Sequence, residues 1–236
     1  MKLLSVDFDF FFQENHMDDW SHNEENPFLH EAVWSFRAAD FLSWDKPLPG
    51  LSGDQLNFWG RFRFTKNTEL FYADSHAMIA RAELLYGGIT EIWNFDAHHD
   101  AYQTIGQVCE QPVITCDNWA TYLSMCASIH SVIPAWDKKN LYADKPKVHI
   151  TRMVDYPHNY RLVFDRIFVC RSSCWVPSWL EDGFWKFIAD CPVEHKINVD
   201  GMTPRQFSLE DANVIADQIR KIRNDHINSA RMPDVR

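Results

Sequence analysis

Residues 91–100, EIWNFDAHHD, combine a predicted buried strand with a highly charged segment that follows it. The first half is apolar and has the pattern of a buried β-strand. The second half places two carboxylates and two imidazoles within five residues. Charges are costly to bury unless something pairs with them. The segment is therefore either a solvated loop or a loop that surrounds a cation.

Strand-like and helix-like segments alternate along the rest of the chain. The apolar run at 2–12, KLLSVDFDFFF, predicts a first buried strand. Further strands are predicted at the start of 69–86, in the second part of 118–136, and within 165–173 and 195–204. Helices are predicted over 26–44, after the turn at 73–76, in the first part of 118–136 and from 208 onward. This alternation predicts an α/β fold of three α/β/α layers with a mainly parallel central sheet. Because no repeat or linker divides the chain, we expect one domain over residues 1–236.

The composition narrows the class of protein. A net charge of −10 argues against a general nucleic-acid binder and favours attraction of metal ions or basic substrates. No stretch approaches the roughly 18–20 apolar residues of a membrane span, and acids interrupt the opening segment where a secretory signal stays apolar. The six cysteines form no CxxC pair, so we expect reduced thiols, with Cys170 and Cys174 structural. The sequence thus predicts a cytoplasmic protein without nucleic-acid or membrane partners, and it leaves the oligomeric state open.

Two further segments carry the same chemistry as 96–100. Asp7 and Asp9 follow the first predicted strand, and His76 stands at a predicted strand-to-helix turn. In an extended segment alternate side chains share a face, and the carboxyl ends of parallel strands meet at one edge of the sheet. We therefore predict one cluster of six potential metal ligands, formed by Asp7, Asp9, His76, Asp96, His98 and Asp100.

Four carboxylates and two imidazoles are too many ligands for one four-coordinate zinc and too much negative charge to leave unneutralised. Two divalent ions that share bridging carboxylates would satisfy them, and a pair about 3.5–4 Å apart lowers the pKa of a bridging water. Oxygen-rich ligation suits manganese. Taken alone, an Asp-x-Asp pair or a histidine at a strand end is more often a structural hydrogen-bonding group.

Three motifs resemble those of the arginase/agmatinase (ureohydrolase) family. Residues 96–100, DAHHD, resemble the Asp-Ala-His-x-Asp signature, residues 7–9 the Asp-x-Asp motif, and residues 74–76 the Asp-His stretch. The resemblance implies two manganese ions. One would be bound by His76, Asp96, Asp100 and Asp7. The other would be bound by Asp96, His98, Asp7 and Asp9, with Asp96 and Asp7 bridging.

A closer resemblance is to an offshoot of that superfamily that includes peptide arginases. It rests on DFDFFF…NPF (7–28), DSH (74–76), DAHHD (96–100) and NW (118–119). The resemblance implies a guanidino hydrolase that converts arginine in a precursor peptide to ornithine and releases urea, a post-translational modification. Residues 101–112 lack the Asn/Ser/Thr-rich pattern with which free-arginine enzymes hold the α-amino and α-carboxylate groups. That difference favours a peptide substrate.

The order of the motifs departs from the family. In arginases the Asp-x-Asp strand follows the Asp-Ala-His-x-Asp strand, whereas here it comes first. A circular permutation would reconcile the two orders, because a layered sheet keeps its site when the chain starts elsewhere. A rival segment, INVDGMTP (197–204), would offer Asn198 and Asp200. We prefer Asp7 and Asp9, because a bridging position needs a carboxylate.

The resemblance also suggests residues for proton transfer. Asp100 or Asp9 is expected to accept and pass the proton. His99, beside the ligands but alternating away from them, is a candidate proton donor for the leaving amine.

A carboxylate is expected to hold the substrate guanidinium in bidentate fashion. The candidates are Glu14, Glu24 and Glu25, although the last two also suit the first turn of a helix. Asn118 is expected to line the pocket, or else to cap a helix that precedes a core tryptophan.

Three alternatives stay open. The same centre would suit free arginine or agmatine. A zinc-dependent amidohydrolase resembling the deacetylases related to arginases needs fewer acids than this chain offers. A metal-stabilised domain that binds basic peptides without turnover is the non-enzymatic alternative.

Overall fold

The computed structural model describes residues 1–12, 27–137, 145–154 and 162–230. The strands within these ranges are β1 (Lys2–Asp7), β2 (Arg63–Ala73), β3 (Glu91–Phe95), β4 (Ser128–Val132), β5 (Thr151–Met153), β6 (Val163–Cys170) and β7 (His195–Asn198). The α-helices are α1 (Pro27–Ser43), α2 (Ala82–Leu85), α3 (Ile105–Glu110), α4 (Trp119–Leu123), α5 (Glu181–Asp190) and α6 (Leu209–Ala230). None of these helices has the length and apolar character needed to cross a bilayer.

The strands form one sheet in the order β5-β4-β3-β1-β6-β2-β7. Every neighbouring pair is parallel. The predicted α/β fold with a central parallel sheet flanked by helices is thereby confirmed. Because the strands are parallel, all of their carboxyl ends lie along one edge, where β1 stands between β3 and β6.

Each face of the sheet carries its own hydrophobic cluster. On one face, Leu4 and Val6 of β1 pack with a set of aromatic rings from loops and α5 that includes Phe58 and Phe187. On the other face, Leu3 packs in a cluster formed with side chains of β6, α4 and the segment after β2. Many rings of the first cluster meet edge to face, as in the contacts of Phe58 with Phe11 and Phe95 at centroid distances of 5.3 and 5.1 Å. Much of the aromatic content is therefore core.

The first strand is shorter than the sequence predicts. β1 ends at Asp7, and Phe8–Phe11 form a turn of 3₁₀-helix that Asp7 caps by accepting the backbone N–H of Asp9 (3.1 Å). The turn brings Phe8, Phe10 and Phe11 into the same hydrophobic cluster. A continuing strand would have placed Phe11 on the opposite face of the sheet from Phe8 and Phe10. The expectation that Asp7 and Asp9 share a face by strand alternation is therefore wrong.

The exit of β3 differs from the prediction in the same way. The strand ends at Phe95, so residues 96–100 form an irregular loop rather than an extended segment. Asp100 has φ +51°, in the left-handed region. Asp96, His98 and Asp100 are thus brought together by loop geometry and not by the pleat.

Most other segments agree with the sequence. α1 matches the predicted 26–44, and the last helix begins after Ser208, whose Oγ accepts the backbone N–H of Asp211 (3.1 Å). Three of the described α-helices and strands were not predicted: α3, α5 and the three-residue edge strand β5.

Candidate metal centre

Three of the six predicted ligands surround one imidazole nitrogen of a fourth. His76 Nδ1 lies 3.2 Å from Asp7 Oδ2, 3.3 Å from Asp96 Oδ2 and 3.2 Å from Asp100 Oδ2. All four residues are buried. We call His76, Asp7, Asp96 and Asp100 the inner group.

The other two ligands meet on the far side of Asp96. His98 Nδ1 lies 3.0 Å from Asp9 Oδ2 and 3.7 Å from Asp96 Oδ1. The His98 side chain is 28% exposed, and its ring lies 4.5 Å from the ring of Trp175. We call His98, Asp9 and Asp96 the outer group. Asp96 belongs to both groups and turns one carboxylate oxygen toward each.

His76 is held on all sides. It begins a 3₁₀-helix, His76–Ala80, directly after the Ser75 cap. Its ring is packed between Trp119 and Phe168, at centroid distances of 4.6 and 5.6 Å. Ser5 Oγ lies 2.8 Å from Nε2, so the opposite ring nitrogen, Nδ1, is the one that faces the carboxylates.

Two polar atoms of the centre are buried without a hydrogen-bond partner among the described residues. They are His76 Nδ1 and Asp9 Oδ2. A buried polar atom that lacks a partner costs about 1–3 kcal/mol. A cation placed in the inner or outer group would give each atom a partner. The donor set, carboxylate oxygens with imidazole nitrogens, therefore fits a divalent metal ion.

The three carboxylates of the inner group each accept a hydrogen bond from a side chain that is not one of the six ligands. Trp119 Nε1 donates to Asp100 Oδ2 (2.6 Å), and Ser172 Oγ donates to Asp7 Oδ2 (2.8 Å). Asn94 Nδ2 donates to Asp96 Oδ2 (3.0 Å). Such donors orient ligand oxygens and are part of how metal sites are built. The sequence analysis did not identify these three roles.

A buried ion-pair network holds the loop that carries Ser172. Arg171 donates from Nε to Asp74 Oδ1 (2.9 Å) and from Nη1 to Glu181 Oε1 (2.7 Å). Arg205 donates from Nε to Glu181 Oε2 (2.7 Å). Ser172 itself has φ +57°, a conformation that a non-glycine residue keeps only when its surroundings impose it. The network therefore fixes the loop from which Ser172 reaches Asp7.

Burial and mutual repulsion perturb the carboxylates. Burial raises the pKa of Asp7 to about 7, and the charges of Asp9 and Asp96 act in the same direction. Burial, followed by the charge of Asp96, raises the pKa of Asp100 to about 7 and also raises that of Asp9. Burial opposes ionisation of Asp96 too, but its close contacts with His76 and His98 and the charge of those imidazoles lower its pKa.

At the two imidazoles, burial and the neighbouring carboxylates shift the pKa in opposite directions. Burial lowers the pKa of His76, but its contacts with Asp100, Asp7 and Asp96 raise it well above the ordinary value. Burial likewise opposes protonation of His98, and its contacts with Asp9 and Asp96 outweigh that effect. The buried carboxylates therefore favour positive charge on His76 and His98, at the positions where cations would bind.

The remaining predicted residues fall outside the two groups. His99 is buried rather than turned outward: its Nδ1 accepts the backbone N–H of Ala101 (3.0 Å), and its ring lies 4.1 Å from that of Tyr102. Asn118 is buried, with Oδ1 accepting from Thr115 N (2.9 Å), so it shapes a loop. The three glutamates proposed to hold the guanidinium lie outside the described residues: Glu14, Glu24 and Glu25.

The rival segment does not join the cluster. Asn198 Oδ1 accepts the backbone N–H groups of Gly201 and Met202, at 3.0 and 3.1 Å, and so stabilises the turn after β7. Asp200 Oδ2 accepts the backbone N–H of Asp74 (2.8 Å). The structure thus brings Asp7 and Asp9 to the histidines and uses Asn198 and Asp200 for backbone contacts.

Comparison of the chain with protein-family models, with curated proteins and with solved structures finds no match.

Proposed function

We propose that this chain is a dinuclear manganese hydrolase that converts arginine residues in a peptide to ornithine and releases urea. The observation that carries the proposal is the position of Asp96. Its Oδ2 lies 3.3 Å from His76 Nδ1 and its Oδ1 lies 3.7 Å from His98 Nδ1. One carboxylate between two imidazole-bearing groups is the arrangement that a pair of bridged ions needs.

The number of ligands supports two ions over one. The inner group offers one imidazole and three carboxylates, and the outer group offers one imidazole and two carboxylates. A single catalytic zinc takes three protein ligands and a water. The surplus carboxylates therefore weigh against the zinc amidohydrolase alternative, and oxygen-rich ligation favours manganese.

Two divalent ions, once bound, would supply an activated water near neutral pH and would stabilise negative charge that develops during hydrolysis. The residues of the chain hold the centre in shape for that chemistry. Trp119 and Ser172 fix single oxygens of Asp100 and Asp7 by hydrogen bonds. Asp9 keeps Oδ2 without a hydrogen-bond donor on the partly exposed side of the centre. We assign proton acceptance to Asp9 or Asp100.

His99 is not retained as the proton donor. It is buried against Tyr102 and accepts a backbone hydrogen bond, which are the contacts of a residue that holds a loop. The substrate clamp stays assigned to a carboxylate of the segment that follows Asp9, with Glu24 and Glu25 as the candidates.

The guanidinium is the proposed target because the motifs around the six ligands resemble those of ureohydrolases. The peptide is proposed over free arginine because residues 101–112 lack the Asn/Ser/Thr-rich pattern and several of their polar side chains have other partners. Thr104 and Gln107 form a reciprocal capping box at the start of α3. Gln103 Oε1 accepts from Asn118 Nδ2 (3.3 Å). These groups are therefore used by the fold, which leaves fewer of them to hold a free α-amino or α-carboxylate group.

Space for more than a guanidinium exists next to the loop that carries Ser172. A cleft of about 350 Å³ is lined by His30 and Glu31 of α1, by Asp74 and Ser173, and by residues 200–205. None of the six predicted ligands lines this cleft, so it adjoins the loop of Ser172 and not the centre itself.

The test is urea release by the manganese-loaded protein from an arginine-containing peptide, compared with free arginine and agmatine. A matched peptide with lysine in place of arginine is the substrate control, and Asp9→Ala is the enzyme control. The proposal expects urea from the arginine peptide alone, and no urea with Asp9→Ala. Urea from free arginine or agmatine would favour the alternative, a hydrolase of free guanidino compounds. Urea from none of the three substrates would rule out a guanidino hydrolase.

A further inference from the structure

Cys170 lies beside the inner group without being one of its four members. It ends β6, where it pairs with Asp7 in the parallel register between β1 and β6. One potential ligand atom from each of Cys170, Asp7 and His76 lies within 4.8 Å of the other two. The thiol is fully buried. Three ligand atoms at these separations can all contact one ion placed between them.

A second observation points to a ligand at the same place. His76 is 1% exposed, and its Nδ1 has no hydrogen-bond partner among the described residues. A ring nitrogen in that condition, 3.2 Å from Asp7 Oδ2, is suited to bind a cation. Cys170 Sγ donates to the carbonyl oxygen of Asp74 (3.2 Å), which is a weak hydrogen bond that a metal–sulfur bond would readily replace.

We propose that the inner group also binds a thiophilic divalent cation, such as Zn²⁺ or Cd²⁺, with the Cys170 thiolate as an additional ligand beside His76 and Asp7. On binding, the S–H bond breaks, its proton passes to solvent, and a sulfur lone pair forms the bond to the ion, without any change in oxidation state. Soft thiolate ligands select such ions, whereas Mn²⁺ prefers oxygen and leaves the thiol protonated. The inference rests on the proposed metal centre but not on the proposed reaction.

The consequence is a choice of metal at one position. A manganese-loaded centre would use carboxylates and imidazoles, and a zinc- or cadmium-loaded centre would add sulfur. The full chain, freed of metal by a chelator, provides the test. Because Cys109 and Cys126 are exposed and Cys116 is partly exposed, they would bind cadmium on their own, and all three are changed to serine in the background protein.

Cadmium is titrated while the sulfur-to-cadmium charge-transfer absorption is recorded and bound metal is measured by equilibrium dialysis. The background protein is expected to develop a band that saturates at one thiolate-bound ion per chain. Cys170→Ser is expected to lose this band. Cys191→Ser is the matched control, because that buried thiol belongs to the hydrophobic cluster on the other face of the sheet. It is expected to keep the band in full.

His76→Ala is a second variant that leaves Cys170 intact. At the same cadmium concentration, its charge-transfer band is expected to be at least tenfold weaker than that of the background protein. A band that persists in Cys170→Ser, or that is unchanged in His76→Ala, overturns the proposal, as does cadmium binding to the background protein without a band. Two bound manganese ions and urea release without a cadmium band would refute the thiolate ligand alone. A cadmium band in a protein that releases no urea would refute the hydrolase alone.

Discussion

Replacing Trp119 with phenylalanine separates the hydrogen bond that orients Asp100 from the packing that surrounds it. The indole Nε1 donates to Asp100 Oδ2 at 2.6 Å, and the ring lies 4.6 Å from that of His76. Phenylalanine keeps an aromatic ring in this fully buried position but removes the donor. Asp100 then has one fewer group to hold its oxygen toward His76.

The magnitude follows from the kind of bond. A hydrogen bond to a charged group contributes about 1.5–3 kcal/mol, and loss of a partner that orients a metal ligand lowers metal affinity about 10–100-fold. We therefore expect one manganese ion to bind about 10–100-fold more weakly to Trp119→Phe. The ion of the outer group should change much less, because Asp100 belongs to the inner group alone.

The assay is a calorimetric titration of the metal-free protein with Mn²⁺, accompanied by a thermal melt. Trp59→Phe is the matched control: Trp59 is also buried and donates to the carbonyl oxygen of Phe187 (2.9 Å), but it lies in the hydrophobic cluster on the other face of the sheet. Both variants should lose a similar amount of thermal stability, and only Trp119→Phe should lose metal affinity. Wild-type affinity in Trp119→Phe, or an equal loss in Trp59→Phe, would refute the reasoning.

Three more outcomes are expected. His98→Ala should leave one manganese ion per chain by atomic absorption, because the outer group loses its imidazole while the inner group keeps all four ligands; a protein that binds none would contradict the division into two groups. Asp9→Asn should abolish urea release yet raise the melting temperature of the metal-free protein, because burial and Asp96 disfavour the Asp9 charge; a lower melting temperature would contradict this. Manganese affinity should fall below pH 7, by roughly tenfold per pH unit for each of Asp7 and Asp100, because the metal must displace protons from groups whose pKa is about 7. Above pH 7 the affinity should keep rising, because His76 and His98, whose pKa values are raised well above the ordinary value, must also lose their protons. Calorimetry in buffers of different ionisation enthalpy should detect that proton release, and affinity that does not vary between pH 5.5 and 7 would show that these carboxylates are already ionised.

The sequence was sufficient for the layered fold and for the six clustered side chains. Apolar runs such as 91–95 predict buried strands, and the polar residues directly after them must lie at one edge of a parallel sheet. The predicted extended backbone was wrong for both segments, 7–9 and 96–100. Asp9 reaches the centre through a 3₁₀ turn, because core packing of Phe8, Phe10 and Phe11 overrides strand alternation. Asp100 reaches it from an irregular loop and itself has a left-handed backbone.

Most of the side chains that donate hydrogen bonds to the ligand carboxylates could not be predicted from the sequence. Ser172 and Asp7 are 165 residues apart, and no local spacing indicates that they meet. Trp119 stood in a predicted motif, but as a core tryptophan its indole N–H had no predicted acceptor. Asn94 is the exception: it stands two residues before Asp96, so strand periodicity would have placed both on one face.

Anomalous diffraction from crystals soaked in Mn²⁺ tests the metal centre most directly. Two peaks about 3.5–4 Å apart are expected, one beside His76 and one beside His98, with Asp96 contacting both. A single peak, or manganese bound elsewhere with none between these two histidines, would contradict a dinuclear centre in this chain.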